Sequence, residues 1–187
     1  MTNETMTSDV VLLAYKAFGG AIKGKTMLQK RIYFLSVFLN CDLGYEAHYY
    51  GPYSEDVANS NLEMKSLGYL SESVSGWGTD QRGFEISRYD YKLSDAGTRV
   101  AERLVVSNAE LWNRIEAAAK VVAEAGNLDY MELSIAAKAY YILKQINNKA
   151  TLEEIEKMLP KFGWKVTAEE LRKATDFLRK ANLVTLQ

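Results

Sequence analysis

The stretch from Gly24 to Leu70 constrains the fold of this chain more than any other part of the sequence. It consists of a nearly continuous apolar segment, a short tyrosine-rich run, a Gly-Pro pair, and a mixed segment that ends at a glycine. These features predict, in that order, a buried helix, a short strand, a corner, a second helix and the start of another strand. This order is typical of a winged helix-turn-helix, and because one fold serves many functions it predicts no particular reaction.

Three helices are expected in the first part of the chain. The spacing of apolar residues predicts the first over 8–18, and the polar residues 1–7 are expected to form a disordered tail. The second, over 26–39, is apolar on nearly every face, which is typical of a helix that is covered on several sides. Its narrow polar face consists of Gln29, Lys30, Arg31 and Ser36. The third is predicted over 55–67, with Ser54 as its N-cap.

The strands predicted around these helices are short. Residues 45–50 alternate in the manner of a strand before the Gly-Pro pair stops it. Residues 69–74 and 84–93 are predicted to pair as the wing, joined by a turn cluster over 75–83. A change in which alternate positions are apolar predicts a bulge near Ser87 and Arg88.

The remainder of the chain is expected to be helical. Helices are predicted over 95–105, 108–125, 130–146, 152–159 and 168–181. Three of them begin at sequences typical of capping boxes, Ser107 with Glu110, Thr151 with Glu154, and Thr167 with Glu170. The fold class is therefore α+β and mostly helical.

A boundary between two units is predicted in the region 104–110. It gives a winged-helix domain over 1–106 and a helical domain over 107–187. Residues 178–184 are similar to 64–70, since each pairs a helix end with Gly or Asn and then a short apolar run. This similarity suggests a second helix-turn-helix-like unit near the end of the chain.

Composition excludes several classes of function. The net charge of −1 gives the molecule no strong field to attract nucleic acid or an anionic membrane. No apolar run approaches the roughly 20 residues that span a bilayer, and the N-terminal residues lack a signal-peptide pattern. The single cysteine, Cys41, fits a reducing cytoplasm. We therefore expect a cytoplasmic protein with no membrane partner.

Catalytic chemistry and metal binding are not expected. His48 is the only histidine, so a Ser-His-Asp triad or a histidine cluster cannot form within one chain. Cys41 is interpreted as a packing residue, and the acidic residues form no recognisable acid–base pair. The sequence therefore predicts no enzyme, no catalytic residues, no cofactor and no metal site.

Two short motifs carry a resemblance to a known family. Leu28–Phe34 is LQKRIYF and Tyr49–Ser54 is YYGPYS. They resemble the pattern L-Q-K-L-h-Y-h followed by Y-G-P, where h is hydrophobic, of the Panacea (SocA-like antitoxin) domain and of the related YwgA-like proteins. The resemblance covers about residues 8–105. It implies a prokaryotic, non-enzymatic, winged-helix-like regulator that neutralises or senses a protein partner.

The tyrosines around the Gly-Pro pair suggest a surface for such a partner, because tyrosine is enriched at protein interfaces. The residues predicted to contact a partner are His48, Tyr50, Gly51, Pro52, Tyr53 and Trp77. Homodimerisation stays open, since nothing in the sequence identifies the helix that would mediate it.

DNA binding is the alternative interpretation. In a winged helix the helix over 55–67 would enter the major groove, yet it carries more acidic than basic residues. Basic residues concentrate instead in the wing and in the last helix. The residues predicted for this alternative are Arg82, Arg88, Arg172, Lys173, Arg179 and Lys180.

A distant alternative is nucleotide binding. Residues 19–26 match G-x-x-x-x-G-K-[ST], in which Gly24, Lys25 and Thr26 would contact phosphate and Mg²⁺. A phosphate loop requires a buried strand before it, whereas residues 10–18 have helical spacing. We therefore interpret the motif as a linker between the first two helices.

Overall fold

The computed structural model describes residues 3–79, 85–146 and 150–184. These residues form an α+β fold that is mostly helical, as predicted. The helices are α1 (Asn3–Ala17), α2 (Lys25–Leu39), α3 (Glu55–Ser66), α4 (Asp95–Ser107), α5 (Ala109–Ala125), α6 (Tyr130–Gln145), α7 (Leu152–Met158) and α8 (Ala168–Lys180). A 3₁₀ turn, Leu159–Phe162, follows α7. The strands are β1 (Ala21–Lys23), β2 (Tyr45–Glu46), β3 (Tyr53–Ser54), β4 (Leu70–Thr79) and β5 (Glu85–Leu93).

Two antiparallel sheets connect these elements. The larger sheet has the order β1-β5-β4, and Tyr91 in its centre lies opposite Ile22 on one side and Glu72 on the other. The smaller sheet pairs β2 with β3, so that Tyr45 lies opposite Ser54. Strand β1 lies within residues predicted to be a linker. It forms because Gly19 and Gly20, both with φ of 83°, reverse the chain after α1 and bring it alongside β5.

Three predicted boundaries were wrong. Helix α1 begins at Asn3, so most of the predicted disordered tail is helical. Strand β2 ends at Glu46 instead of 50, because the chain turns at His48–Gly51 and the Gly51 N–H donates to the His48 carbonyl over 2.9 Å. The N-cap of α5 is Asn108, whose side chain accepts from the Leu111 N–H, and Ser107 is the last residue of α4.

The predicted turn cluster of the wing is partly strand. Strand β4 continues to Thr79, and Ser75 and Gly76 pair with Arg88 and Ser87. The register shifts between Gly76 and Thr79, next to the predicted bulge. Residues 80–84, which include Arg82, lie outside the described part of the chain.

Most predicted helix caps are confirmed. Ser54 accepts from the Val57 N–H, and Thr151 and Thr167 each form a capping box with the glutamate three residues later. Asn182 has a φ of 55°, comparable with 73° at Gly68. Leu183 and Val184, the last described residues, are not in a strand, so the similarity to residues 64–70 ends at the turn.

Buried apolar side chains form two clusters that share helices. In α2, Ile32 and Leu35 belong to the first cluster, whereas Phe34 belongs to the second. Helix α5 is divided in the same way, with Ile115 in the first and Val122 in the second. The predicted boundary at 104–110 coincides with the junction of α4 and α5, but α2 joins both clusters. The division into two domains stays a prediction.

Gly97 is expected to be indispensable to the junction of α4 with the sheet. A Cβ at this position would lie 2.1 Å from the backbone oxygen of Tyr69, far inside van der Waals contact. We expect Gly97→Ala to lower the free energy of unfolding by about 2 kcal/mol or more, because backbone must move to accommodate the methyl group. Alanine also has a higher helix propensity than glycine, but that gain of about 1 kcal/mol is smaller than the expected steric cost.

Urea denaturation of purified protein checks this expectation. Gly76→Ala is the matched control, because a Cβ there would meet nothing within 4 Å. Equal stabilities of the two variants would contradict the steric argument.

Candidate functional site

The Gly-Pro corner, residues 48–53, is a tight turn with a buried apex. Gly51 has a φ of 92°, a backbone conformation that favours glycine. A Cβ at Gly51 would also lie 3.0 Å from Cγ of Lys138 and 3.3 Å from the Ser134 carbonyl oxygen. Gly51 and Pro52 are buried. Gly51 and Pro52, which were predicted to contact a partner, therefore determine the shape of the corner and do not form its surface.

Residues from the C-terminal half of the chain bind the backbone of the corner. The indole Nε1 of Trp164 donates to the His48 carbonyl over 2.7 Å, and the Ser134 hydroxyl donates to the Tyr50 carbonyl. The Trp164 ring stacks on Phe162, with 4.9 Å between ring centroids, and is almost fully buried. These contacts fix the corner against α6 and the segment that follows α7.

Helix α2 binds the other side of the corner. The Lys30 ammonium donates to the Pro52 carbonyl over 2.6 Å. The Gln29 side chain pairs with the Ser54 backbone, donating to its carbonyl over 2.9 Å and accepting from its N–H over 3.0 Å. Both side chains are buried, so their predicted place on a polar face of α2 was wrong. Their partners are backbone groups, which sequence periodicity cannot reveal.

Two buried lysines lie beside Gly51. Lys30 is 1% exposed, and burial, together with the nearby charge of Lys138, lowers the pKa of its ammonium to about 7. Burial also lowers the pKa of Lys138, and Glu170 acts in the opposite direction. Among the described residues, no carboxylate lies within 4.0 Å of either ammonium. The interior of the corner is therefore rich in hydrogen-bond donors and poor in negative charge.

The outer surface of the corner is aromatic. Tyr49 is 71% exposed and Tyr50 is 48% exposed, and their rings meet edge to face with centroids 4.9 Å apart. Tyr130 and Met131 are also exposed, in the first turn of α6, on the same helix face as Ser134. Because Ser134 binds the Tyr50 carbonyl, the first turn of α6 lies about one helical turn from the corner. We call Tyr49, Tyr50, Tyr130 and Met131 the aromatic patch.

The structure places the predicted partner contacts unequally. Tyr50 is in the aromatic patch, and the exposed His48 lies beside the half-buried Tyr53, with 5.1 Å between ring centroids. The backbone of Trp77 belongs to β4, but its side chain lies outside the described part of the structure.

Three residues of the aromatic patch were not predicted. Tyr49 was assigned to a strand over 45–50, which ends at Glu46, and it was not among the predicted partner contacts. For Tyr130 and Met131, the only signal is a pair of large apolar side chains at the start of a helix.

The four basic residues that the DNA-binding alternative places on α8 are exposed and Arg88 is half-buried, and acidic residues are interleaved with them. On α8, Lys173 lies 3.6 Å from Glu169, and Arg179 lies 3.3 Å from Asp176. On β5, Arg88 pairs with Asp90 over 2.8 Å. Arg172 and Lys180 are exposed on α8 as well. The positive charge of this surface is therefore partly neutralised.

The motif of the nucleotide-binding alternative does not have the shape of a phosphate loop. Ala21–Lys23, in the middle of the motif, is an antiparallel strand. Gly24 caps α2 without a side-chain hydrogen bond, and the Lys25 ammonium lies 3.9 Å from the centroid of the Tyr89 ring. A phosphate loop instead follows a strand and presents consecutive backbone N–H groups to the ligand.

Comparison with protein-family models and with curated proteins found no relative of this chain. None of the helices in the described ranges is long and apolar enough to cross a bilayer. Within the same ranges, no group of three His, Cys, Asp or Glu side chains is arranged to hold a metal ion.

The buried Lys30 predicts a pH dependence of stability. Its folded pKa of about 7 lies below the ordinary 10.5, so the unfolded state binds an extra proton between these values. The free energy of unfolding should therefore rise with pH in this interval, by about 1 kcal/mol per pH unit from this group. The destabilisation is complete below pH 7 and absent above 10.5.

Urea denaturation between about pH 7 and pH 9 measures this effect. Lys30→Met should lose that contribution, whereas Lys144→Met, at an exposed lysine of α6, should keep the wild-type pH dependence. If the free energy of unfolding changed with pH equally in wild type and Lys30→Met, the assignment of this dependence to Lys30 would be contradicted.

Trp164 is expected to hold the corner through its indole N–H. Trp164→Phe keeps an aromatic ring but removes the donor to the His48 carbonyl. We expect a loss of about 1 kcal/mol of stability or more and faster hydrogen exchange at the Gly51 amide. Trp112→Phe, at a half-buried tryptophan outside the corner, is the control and should leave exchange at Gly51 unchanged. Unchanged exchange in Trp164→Phe would show that the corner does not depend on this bond.

Proposed function

We propose that this chain is a prokaryotic regulatory binding module of the winged-helix type, and that it recognises a protein partner through the aromatic patch. It acts in the cytoplasm and without catalysis, as an antitoxin or a related regulator. The observation that carries the proposal is the exposed pair Tyr49 and Tyr50 on a corner whose backbone is bound on both sides. Rigid, exposed tyrosines suit an interface, since they offer a large contact area at low entropic cost.

The topology supports the winged-helix part of the proposal. Helix α1 leads through β1 into α2 and α3, and the β4–β5 hairpin follows. The sheet order β1-β5-β4 places the hairpin beside the strand between the first two helices. The motifs LQKRIYF and YYGPYS support the same class, because Gln29 and Lys30 of the first bind the backbone of the second.

The surface of α3 favours a protein over DNA as the partner. In a winged helix this helix would approach the major groove, where basic residues contact phosphate. Here the exposed residues include Glu55, Asp56 and Glu63. Leu62 and Leu67, at the same helix and its end, are both more than half exposed. The acidic side chains would repel a phosphate backbone, and the exposed leucines suit a protein surface.

DNA binding through α8 is the second candidate. Arg172, Lys173, Arg179 and Lys180 are exposed on one short helix, which favours it. The acidic residues paired with two of them weaken the field that DNA would meet. A homodimer is compatible with either candidate.

The proposal is tested by capturing a protein partner and measuring how substitutions in the aromatic patch change its binding. Tagged wild-type protein is used for affinity capture from host extract, with a nuclease-treated sample as a control. Any protein captured in both samples is purified and titrated against each variant. We expect Tyr49→Ala/Tyr50→Ala to weaken binding by about 2 kcal/mol or more, because exposed tyrosines at interface centres contribute most.

Two controls separate the candidates. Val106→Ala changes an 82% exposed side chain at the end of α4 and should bind the partner as wild type does. Arg172→Glu/Lys173→Glu should also bind the partner normally. Recovery of DNA alone, lost in the charge-reversed variant and kept in the tyrosine variant, would overturn the proposal.

A further inference from the structure

A cavity of about 340 Å³ lies between α2, α3 and the β4–β5 hairpin. This volume is within the range of small-molecule sites in proteins, roughly 300 to 1,000 Å³. Its apolar wall consists of Leu28, Ala58 and Leu62, and the rings of Tyr53, Tyr89 and Tyr91 line it as well. The cavity therefore suits a flat, mostly apolar body.

The charged groups at the cavity leave one cation without a counter-ion. Lys65 pairs with Glu72 over 2.6 Å, and this hydrogen bond is the main cause of the lowered pKa of Glu72. The Tyr91 hydroxyl is also hydrogen-bonded to Glu72. Lys25 forms no ion pair within 4.0 Å among the described residues, and its ammonium lies over the Tyr89 ring. Its charge contributes only the smallest of the effects that lower the pKa of Glu72. Lys25 is thus the group available to an anion.

A second donor comes from a buried amide. Asn61 lines the cavity and is only 6% exposed. Its Oδ1 accepts from the Tyr15 hydroxyl over 2.6 Å, which fixes the orientation of the amide. Its Nδ2 has no hydrogen-bond partner in the described structure and is not among the sealed, unsatisfied atoms. Because Asn61 lines the cavity, that N–H group is available to donate to a molecule bound there.

We propose that this cavity binds a small aromatic carboxylate. The ring lies among the tyrosines and Leu62, the carboxylate pairs with Lys25, and Asn61 contributes a second hydrogen bond. A cationic ligand would be repelled by Lys25, and a neutral one would lack the charge-assisted hydrogen bond to its ammonium. The site is separate from the aromatic patch and does not depend on the proposed partner.

Benzoate is the first probe, titrated into isotope-labelled wild-type protein and followed by NMR. We expect saturable shifts at the Asn61 side-chain amide and at the rings of Tyr53 and Tyr89. Benzamide, which has the same shape but no charge, should bind at least about tenfold more weakly, because the hydrogen bond to a charged group is lost.

Two lysine variants locate the charge. Lys25→Met should weaken benzoate about tenfold or more. Lys23→Met makes the same change at an exposed lysine of β1 that does not line the cavity, and should keep wild-type affinity within about twofold. Lys25 is exposed, so its loss should leave the fold intact, and the thermal midpoint of each variant checks this.

Four outcomes would overturn the proposal. They are no saturable benzoate binding up to about 10 mM, equal affinity for benzamide, equal loss in both lysine variants, and a full response to inorganic phosphate. The last outcome would assign a general anion site in place of one for aromatic carboxylates.

Discussion

Burial of α2 on both sides is the constraint on which the rest of the structure depends. Its residues Ile32 and Leu35 pack with the sheet and the first helices, while Tyr33 and Phe34 pack with α6 and α8. A helix packed in this way has little surface left for solvated charge beyond its first residue, Lys25, and the half-buried Arg31. Lys30 is nevertheless on it, and a buried ammonium is tolerated only where a polar partner replaces water. The Pro52 carbonyl is that partner.

The Gly-Pro corner therefore provides the polar partner that the buried Lys30 of α2 needs, and Lys30 in turn fixes the backbone of the corner. Desolvation of Lys30 is costly, and the neighbouring Lys138 adds to the cost because the two charges repel. Hydrogen bonds to backbone carbonyls offset part of it. The gain is a turn whose position is determined by α2, α6 and Trp164 together, with Tyr49 and Tyr50 on its outer side. A stiff turn loses little conformational entropy when a partner binds.

Local patterns in the sequence predicted the helices well, because each depends on residues near one another. Apolar spacing and the caps at Ser54, Thr151 and Thr167 gave boundaries close to those observed. Strand β1 was missed because its three residues form a strand only by pairing with β5, almost 70 positions later. The end of β2 was predicted too late for a similar reason, since the turn at 48–51 depends on contacts with α6 and Trp164.

In the candidate site, too, the features that depend on neighbouring residues were predicted and those that depend on distant contacts were not. The sequence identified the corner itself, because tyrosine, glycine and proline concentrate there. It could not identify Gln29 and Lys30 as groups that hold it, since their partners are backbone atoms 22 to 25 positions away. It also could not associate Tyr130 and Met131 with Tyr50, because that association depends on a hydrogen bond spanning 84 positions.

The bond from Trp164 to His48 spans 116 positions, which has a consequence for synthesis of the protein on the ribosome. The tyrosines of the corner leave the exit tunnel long before the tryptophan that fixes them has been made. Translation proceeds at roughly 5 to 20 residues per second, so a nascent chain displays the corner without this bond for several seconds. A chain terminated before Trp164 would therefore present the tyrosines on a corner that lacks one of its hydrogen bonds.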